Sequence, residues 1–348
     1  MPYTDTKPVG AADFYFAINA TFRFILNKLG ADGLRRYWTD LGTHYFAPVS
    51  AGWKTGGLPA IATYWRTAFA AEPGAEVEVQ EDADGVTIEV ENLPGHQASP
   101  RSWPRNRSML LPALLLHQRS HRRSGWFRGP RRGWQRLVPA DFSPSRRERA
   151  RARPCPNQGG HMLGCYDFCG HYEWTFEWFR QQGGEPLVHE YWDAAIARDS
   201  QIHAAALIGS KGITGMKEYW GHTLDHEAAG YAITSTDKVF RIDMHVCPSK
   251  GFLIRNGLAQ YHDYCDHCIG WIGPVLKTAR FVVDHEHNHC GQCWWEMRSK
   301  EDDTLPSEIG ALSGEQDVRR RADWKTTEAM DVFQRATGPD DKATTNPG

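Results

Sequence analysis

Paired Tyr-Trp dipeptides recur in both halves of this chain at nearly the same spacing. In the first half, Tyr37 precedes Tyr64 by 27 residues, and each is followed by Trp. In the second half, Tyr191 precedes Tyr219 by 28 residues, again with Trp after each. Similar segments at a fixed separation indicate an internal repeat. We therefore predict a tandem duplication, which limits the fold to two copies of one architecture.

Each half has the same order of predicted elements. Apolar residues at helical spacing surround the Tyr-Trp pairs. They are followed by "EVEVQEDADGVTIEVEN" in the first half and "GYAITSTDKVFRIDMHV" in the second, whose alternation around a central turn is typical of a β-hairpin. The sequence predicts an α+β fold of two homologous helix-then-antiparallel-sheet domains, the first over 10–92 and the second over 160–298. A polar tail over 299–348 is expected to be disordered apart from a short helix ending at Ala336.

Residues 93–155 differ in composition from the rest of the chain. Between Arg101 and Arg153 there are fifteen Arg, no Lys and only two acidic residues, although the formal net charge of the whole chain is −2. One interpretation is a basic insert that binds nucleic acid. If the segment is polypeptide as written, its prolines and lack of periodicity predict disorder.

We favour a different interpretation, in which this segment is translated out of frame. Leu93 and the proline after it stand where the second half has Cys247 and its proline. Shifting each codon one base downstream can convert this leucine to cysteine. The same shift can convert residues 110–115 to F-C-Q-H-C-Y, which resembles the "YCDHC" of 264–268. On this interpretation the first repeat has lost its site, the segment binds no nucleic acid, and only the second repeat is functional.

Two Cys-x-x-Cys units lie close together in the second repeat. Cys265 and Cys268 form the first, and Cys290 and Cys293 form the second after 21 intervening residues. Thiolate pairs at such spacing are typical of zinc sites, so we predict that these four cysteines bind zinc. An iron–sulfur cluster is the alternative, since four thiolates can also hold one. Further side chains that could ligate an ion lie nearby: His262, His285, His287, His289, Asp284 and Glu286.

A catalytic role is predicted for three residues of the same region. Cys247 precedes a proline, which restricts it to extended conformations and can end a strand there. A thiol at such a strand end, next to a metal or a histidine, could be acidified into a nucleophile. We assign Cys247, His267 and Asp266 as catalytic, and either His267 or His285 could act as the base.

The second repeat resembles the L-2-amino-thiazoline-4-carboxylic acid hydrolase family and, more distantly, vinyl-4-reductase-type small-molecule-binding domains. The residues that carry the resemblance are "CPSKGFL", "YCDHC" and the closing "HCGQCWWEMR". The resemblance covers about residues 165–298, and 12–140 if the frame is repaired. It implies hydrolysis of a C–N or C–S bond in a small molecule.

The function expected from these observations is a metal-dependent, small-molecule hydrolase. A zinc-containing, ligand-binding sensor module and an iron–sulfur redox protein are the alternatives. The chain has no apolar run of the roughly 18 residues that a membrane helix needs, and its start lacks the pattern of a signal peptide. We therefore expect a cytoplasmic protein without a membrane partner, in which thiols stay reduced. Assembly into a homo-oligomer is compatible with the sequence.

Overall fold

The computed structural model describes residues 11–70, 75–92, 165–227, 229–255, 257–258, 261–289, 291–307, 309 and 332–336. These residues divide into two compact units. One contains the described residues from Ile25 to Asn92. The other contains those up to Phe24 together with those from Cys165 onward. The Arg-rich segment predicted over 93–155 lies outside the described residues. The interpretation that it is translated out of frame therefore stays a prediction.

The helices and strands follow the predicted order in both halves. The first half contains α1 (Ala11–Asp40), a π-helical turn (Leu41–Tyr45), α2 (Ala47–Ala70), β1 (Glu76–Glu81) and β2 (Val86–Asn92). The helices of the second half are α3 (Cys165–Tyr191), a π-helix (Trp192–Ser200), α4 (Ile202–Lys211), α5 (Ile213–His226), α6 (Pro248–Arg255) and α7 (Asp266–Thr278). Its strands are β3 (Gly230–Ser235), β4 (Val239–Val246), β5 (Phe281–His287), β6 (Cys293–Ser299) and β7 (Val332–Ala336). A short 3₁₀ turn (Lys300–Asp302) follows β6. The mixed α+β class predicted from the sequence is confirmed.

The long first helix of each half bends at a glycine in the same backbone conformation. Gly30 in α1 has φ 71° and ψ −174°, and Gly184 in α3 has φ 72° and ψ −173°. Residues with a side chain rarely adopt such a φ, so glycine is required at both bends. Both hairpins also shift register near their first pair, at Glu76 and at Gly230. This likeness is what the duplication predicts, and the duplication itself stays a prediction.

A five-stranded antiparallel sheet with the order β3-β4-β6-β5-β7 forms the framework of the second half. Alternate residues of a strand point to opposite faces of a sheet. Phe240 and Ile242 of β4, with Val283 of β5, bury one face in an apolar core that also contains Trp220 of α5 and Leu276 of α7. Towards one end of β5 and β6, this apolar face gives way to histidine and cysteine.

Strand β5 is buried on both faces, and each face carries a different chemistry. His285 and His287 lie on the same face as the core residue Val283, against which α7 packs. On the opposite face, Asp284 is fully buried, accepts a hydrogen bond from Arg298 and forms an ion pair with Arg335 at 3.3 Å. Imidazoles therefore point towards the helices, and paired charges occupy the other side.

The C-terminal region contains a strand that the sequence did not predict. The last five residues of the expected short helix, Val332–Ala336, form β7 and pair antiparallel with β5. Strand pairing decides their conformation, since an isolated five-residue segment has little intrinsic preference. The start of the tail that was expected to be disordered is also ordered. Strand β6 extends to Ser299, and the 3₁₀ turn follows it. No helix in the part of the chain that the structure describes is long and apolar enough to cross a membrane.

Candidate metal centre

Three side chains converge at the end of β5 beside the first turn of α7. The Cys265 sulfur and one ring nitrogen each from His287 and His289 lie within 4.8 Å of one another. Both imidazoles are buried, with 1% and 0% of their surface exposed. Sulfur and imidazole nitrogen are ligands for zinc and related transition metals, and ligand atoms around one ion lie at comparable separations. The triad could therefore hold a metal ion.

Each member of the triad is placed by a different local feature. His287 is the last residue of β5, on the face that α7 covers. Cys265 is the residue just before α7, where the chain turns into the helix. His289 lies beyond the strand with φ 55°, in the left-handed region. A non-glycine residue there costs free energy and is enriched at functional sites, where the strain holds a side chain in place.

Asp266 holds one of the triad imidazoles in a defined orientation. Its Oδ1 lies 2.6 Å from Nε2 of His287 and also accepts a hydrogen bond from the Gln334 amide at 2.8 Å. Since an ionised carboxylate is only an acceptor, Nε2 of His287 carries the proton. Its Nδ1 then has a free lone pair, and this buried atom makes no hydrogen bond to the described residues. A carboxylate behind a histidine is the usual support of a metal-ligating imidazole.

Two further predicted ligands lie beside the triad rather than in it. Cys268 is in the first turn of α7, with its sulfur 3.9 Å from each ring nitrogen of His267. Cys293 begins β6 and pairs with His287 across the sheet. Burial raises the pKa of both thiols well above the ordinary value, and the neighbouring thiols of Cys247 and Cys265 raise it further. Both sulfurs therefore belong to the same neighbourhood as the triad.

Cys247 lies at the junction between β4 and α6, as its proline indicates. Its backbone N–H donates to the Gly291 carbonyl at 2.8 Å, and its sulfur accepts from the Lys250 N–H at 3.4 Å. The helix N–H alone favours a thiolate, but burial dominates and raises the pKa of Cys247 to about 11. The prediction that a metal or a histidine acidifies this thiol stays a prediction, because this pKa is that of the metal-free chain.

His267 is buried within a cluster of aromatic rings. Its Nδ1 donates to the Tyr264 carbonyl, and its ring contacts Phe176 and Tyr172 edge-on or tilted. Burial lowers its pKa to about 4. At neutral pH the imidazole is therefore uncharged and presents a lone pair at Nε2. His285, two residues before His287, stacks on Trp295 with ring centroids 3.6 Å apart, and burial lowers its pKa well below the ordinary value.

The structure thus brings together part of the predicted site and adds two residues to it. Cys265 is in the triad, and Asp266 supports it. Cys290 lies outside the described residues. His287 and His289 were recognised in the sequence as nearby histidines but were not selected as ligands. The signal that could have selected His287 is its position on the same face of β5 as the apolar residues Phe281 and Val283, which directs it inward.

Comparisons with protein-family models, with curated proteins and with solved structures found no match to this chain.

Proposed function

We propose that this chain is a metal-dependent hydrolase that acts on a C–N or C–S bond of a small molecule. The observation that carries the proposal is the buried triad of Cys265, His287 and His289, with Asp266 fixing the tautomer of His287. Three protein ligands around an ion are typical of catalytic zinc sites, which keep one position for water or substrate.

The donor set favours zinc over an iron–sulfur cluster. The triad contains one sulfur and two nitrogens, whereas iron–sulfur clusters are held mainly by thiolates. One thiolate with two imidazoles suits zinc. The proposal includes a reducing, cytoplasmic location, since Cys265 can ligate an ion only while its thiol is not oxidised.

The residues around the triad support hydrolysis with assigned roles. When bound, zinc lowers the pKa of water and polarises the bond under attack. Asp266 holds His287 in the tautomer that leaves Nδ1 available. His267 is uncharged at neutral pH and offers the lone pair of Nε2 as a hydrogen-bond acceptor. We assign the attack to water, which a bound zinc would activate, rather than to Cys247, because burial raises the pKa of that thiol to about 11 and opposes formation of a thiolate. The type of bond follows from the resemblance of the second repeat to thiazoline-carboxylate hydrolases.

A second candidate is a small-molecule-binding module in which zinc is structural. The near-complete burial of His287 and His289 favours it, since structural sites are closed and have four protein ligands. The sequence analysis predicts Cys290 as a zinc ligand, and we propose it as the fourth ligand of such a site. A Cys290→Ser variant therefore separates the two candidates.

Metal analysis and a hydrolysis screen test the proposal together. We expect purified chain to contain one zinc per molecule and to hydrolyse small cyclic or linear amides, amidines or thioesters. Cys265→Ser should lose both zinc and activity, and Cys290→Ser should keep both. Zinc lost in Cys290→Ser, with no hydrolysis by the wild type, would establish the structural site instead. Wild-type protein without metal would contradict both candidates.

A further inference from the structure

The C-terminal strand β7 reaches the candidate metal centre through one side chain. Gln334 pairs with His285 across the β5–β7 ladder, on the face that bears the triad. Its Nε2 donates to Oδ1 of Asp266 at 2.8 Å, and the same oxygen lies 2.6 Å from Nε2 of His287. A continuous chain of hydrogen bonds therefore runs from β7 through α7 to the triad.

The orientation of the Gln334 amide is fixed by this contact. Because the Asp266 carboxylate is only an acceptor, the amide must turn its N–H₂ group towards it. The buried Oε1 of Gln334 has no hydrogen-bond partner within the described part of the chain. The hydrogen bond to Asp266 is thus the polar contact that determines which way the amide faces.

We propose that Gln334 is a positioning residue of the metal centre, acting through Asp266 on His287. The inference rests on the proposed function, because it requires that the triad binds metal. Asp266 could rotate about its side-chain bonds if it bonded to His287 alone. A second donor on the same oxygen fixes the carboxylate, and a fixed carboxylate fixes the imidazole that presents Nδ1. Loss of a residue that hydrogen-bonds to a metal ligand or to its support commonly lowers metal affinity about 10–100-fold.

The adjacent residue of β7 provides a matched control. Arg335 points to the opposite face, where its Nη1 lies 3.3 Å from Asp284. It contributes to the docking of β7 but makes no contact with Asp266 among the interactions of the described residues. Arg335→Gln therefore perturbs the same strand without touching the hydrogen-bond chain.

The test measures zinc affinity of the full-length chain by competition with a chelator. Gln334→Glu removes the N–H donor at constant shape, and Gln334→Met removes it without adding charge. We expect both to weaken zinc binding about tenfold, with Arg335→Gln unchanged. In the Co²⁺-substituted protein, the two Gln334 variants should also shift the cobalt absorption bands, which report ligand orientation.

The outcomes separate this inference from the proposed function. If the wild type binds zinc and both Gln334 variants bind it equally well with unchanged cobalt spectra, Gln334 has no positioning role. If Arg335→Gln weakens binding as much as Gln334→Glu, docking of β7 accounts for the effect and the inference is also wrong. If the wild type binds no zinc, the metal centre itself fails. Circular dichroism of each variant confirms that it is folded before affinities are compared.

Discussion

Asp266 and His287 are 21 residues apart in sequence, yet Oδ1 of one lies 2.6 Å from Nε2 of the other. The contact joins the first turn of a helix to the last residue of a strand. Asp266 was predicted to be catalytic, and the structure places it behind a candidate ligand. Its expected contribution is therefore to metal affinity.

Replacing Asp266 by Asn should weaken zinc binding 10–100-fold, which is the usual effect of losing such a partner. Asn can turn its own N–H₂ group towards Nε2 and so favour the tautomer with the proton on Nδ1, the nitrogen needed for the metal. Chelator competition measures the effect. The control is Asp263→Asn, since Asp263 contacts His262 at 3.0 Å in a separate acid–histidine pair. Equal losses in the two variants would contradict the assigned role.

The cysteines should differ in their importance for the metal. Cys265→Ser should lower zinc affinity more than about 100-fold. Loss of a ligand weakens binding more than loss of a residue that supports a ligand, which costs about 10–100-fold. Cys268→Ser and Cys293→Ser should retain one zinc per chain, since their sulfurs lie beside the triad. Elemental analysis after dialysis distinguishes these results. Loss of zinc in either of the latter variants would support the sulfur-rich site predicted from the sequence.

Acid should destabilise the metal-free chain partly through His267. Its pKa is about 4 in the folded protein against an ordinary value of 6.5, so the unfolded chain binds more protons between these values. Stability is therefore lost as pH falls from 6.5 to 4. His267→Asn removes this contribution. The difference in free energy of unfolding between the wild type and the variant should therefore fall by about 3 kcal/mol between neutral pH and about pH 4. Urea unfolding at both pH values measures it, and a constant difference would show that the ring is not buried in its neutral form.

The charged face of β5 should contribute to stability without affecting the metal. Asp284→Asn removes one of the two carboxylates that pair with the buried Arg298 and leaves Glu296 as the other, and breaking a buried pair typically costs about 3–5 kcal/mol. The exposed pair of Lys238 and Asp302 serves as the control, because Lys238→Met should leave the free energy of unfolding almost unchanged. Urea unfolding compares the two variants. Zinc affinity of Asp284→Asn should equal that of the wild type, and a matching fall in affinity would mean that the two faces are coupled.

Much of the fold could be predicted from local patterns. Alternation predicted both hairpins, and helical spacing predicted the helices before them. Strand β7 could not be predicted, since "VFQRA" lies in a segment with helical spacing and becomes a strand only by pairing with β5. Such non-local pairing leaves no local signature.

The site was predictable to the extent that it depends on spacing. The Cys-x-x-Cys unit identified Cys265, and its neighbour Asp266 followed from the same segment. His289 could not be selected, because its approach to the triad depends on a backbone with φ 55° outside any regular element. Periodicity gives the direction of side chains only within helices and strands.

The division of β5 into a histidine face and a carboxylate face has a consequence for how the sheet assembles. A slip of one residue against β6 would exchange the faces, since side chains alternate along a strand. Asp284 would then enter the apolar layer, and the imidazoles would meet Arg298 of β6. A register shifted by one residue would thus bury an unpaired charge and also separate the residues of the triad. Only the native register of β5 against β6 gives both faces of the strand suitable partners. Because the triad forms only in that register, metal binding would select chains in which the sheet is correctly aligned.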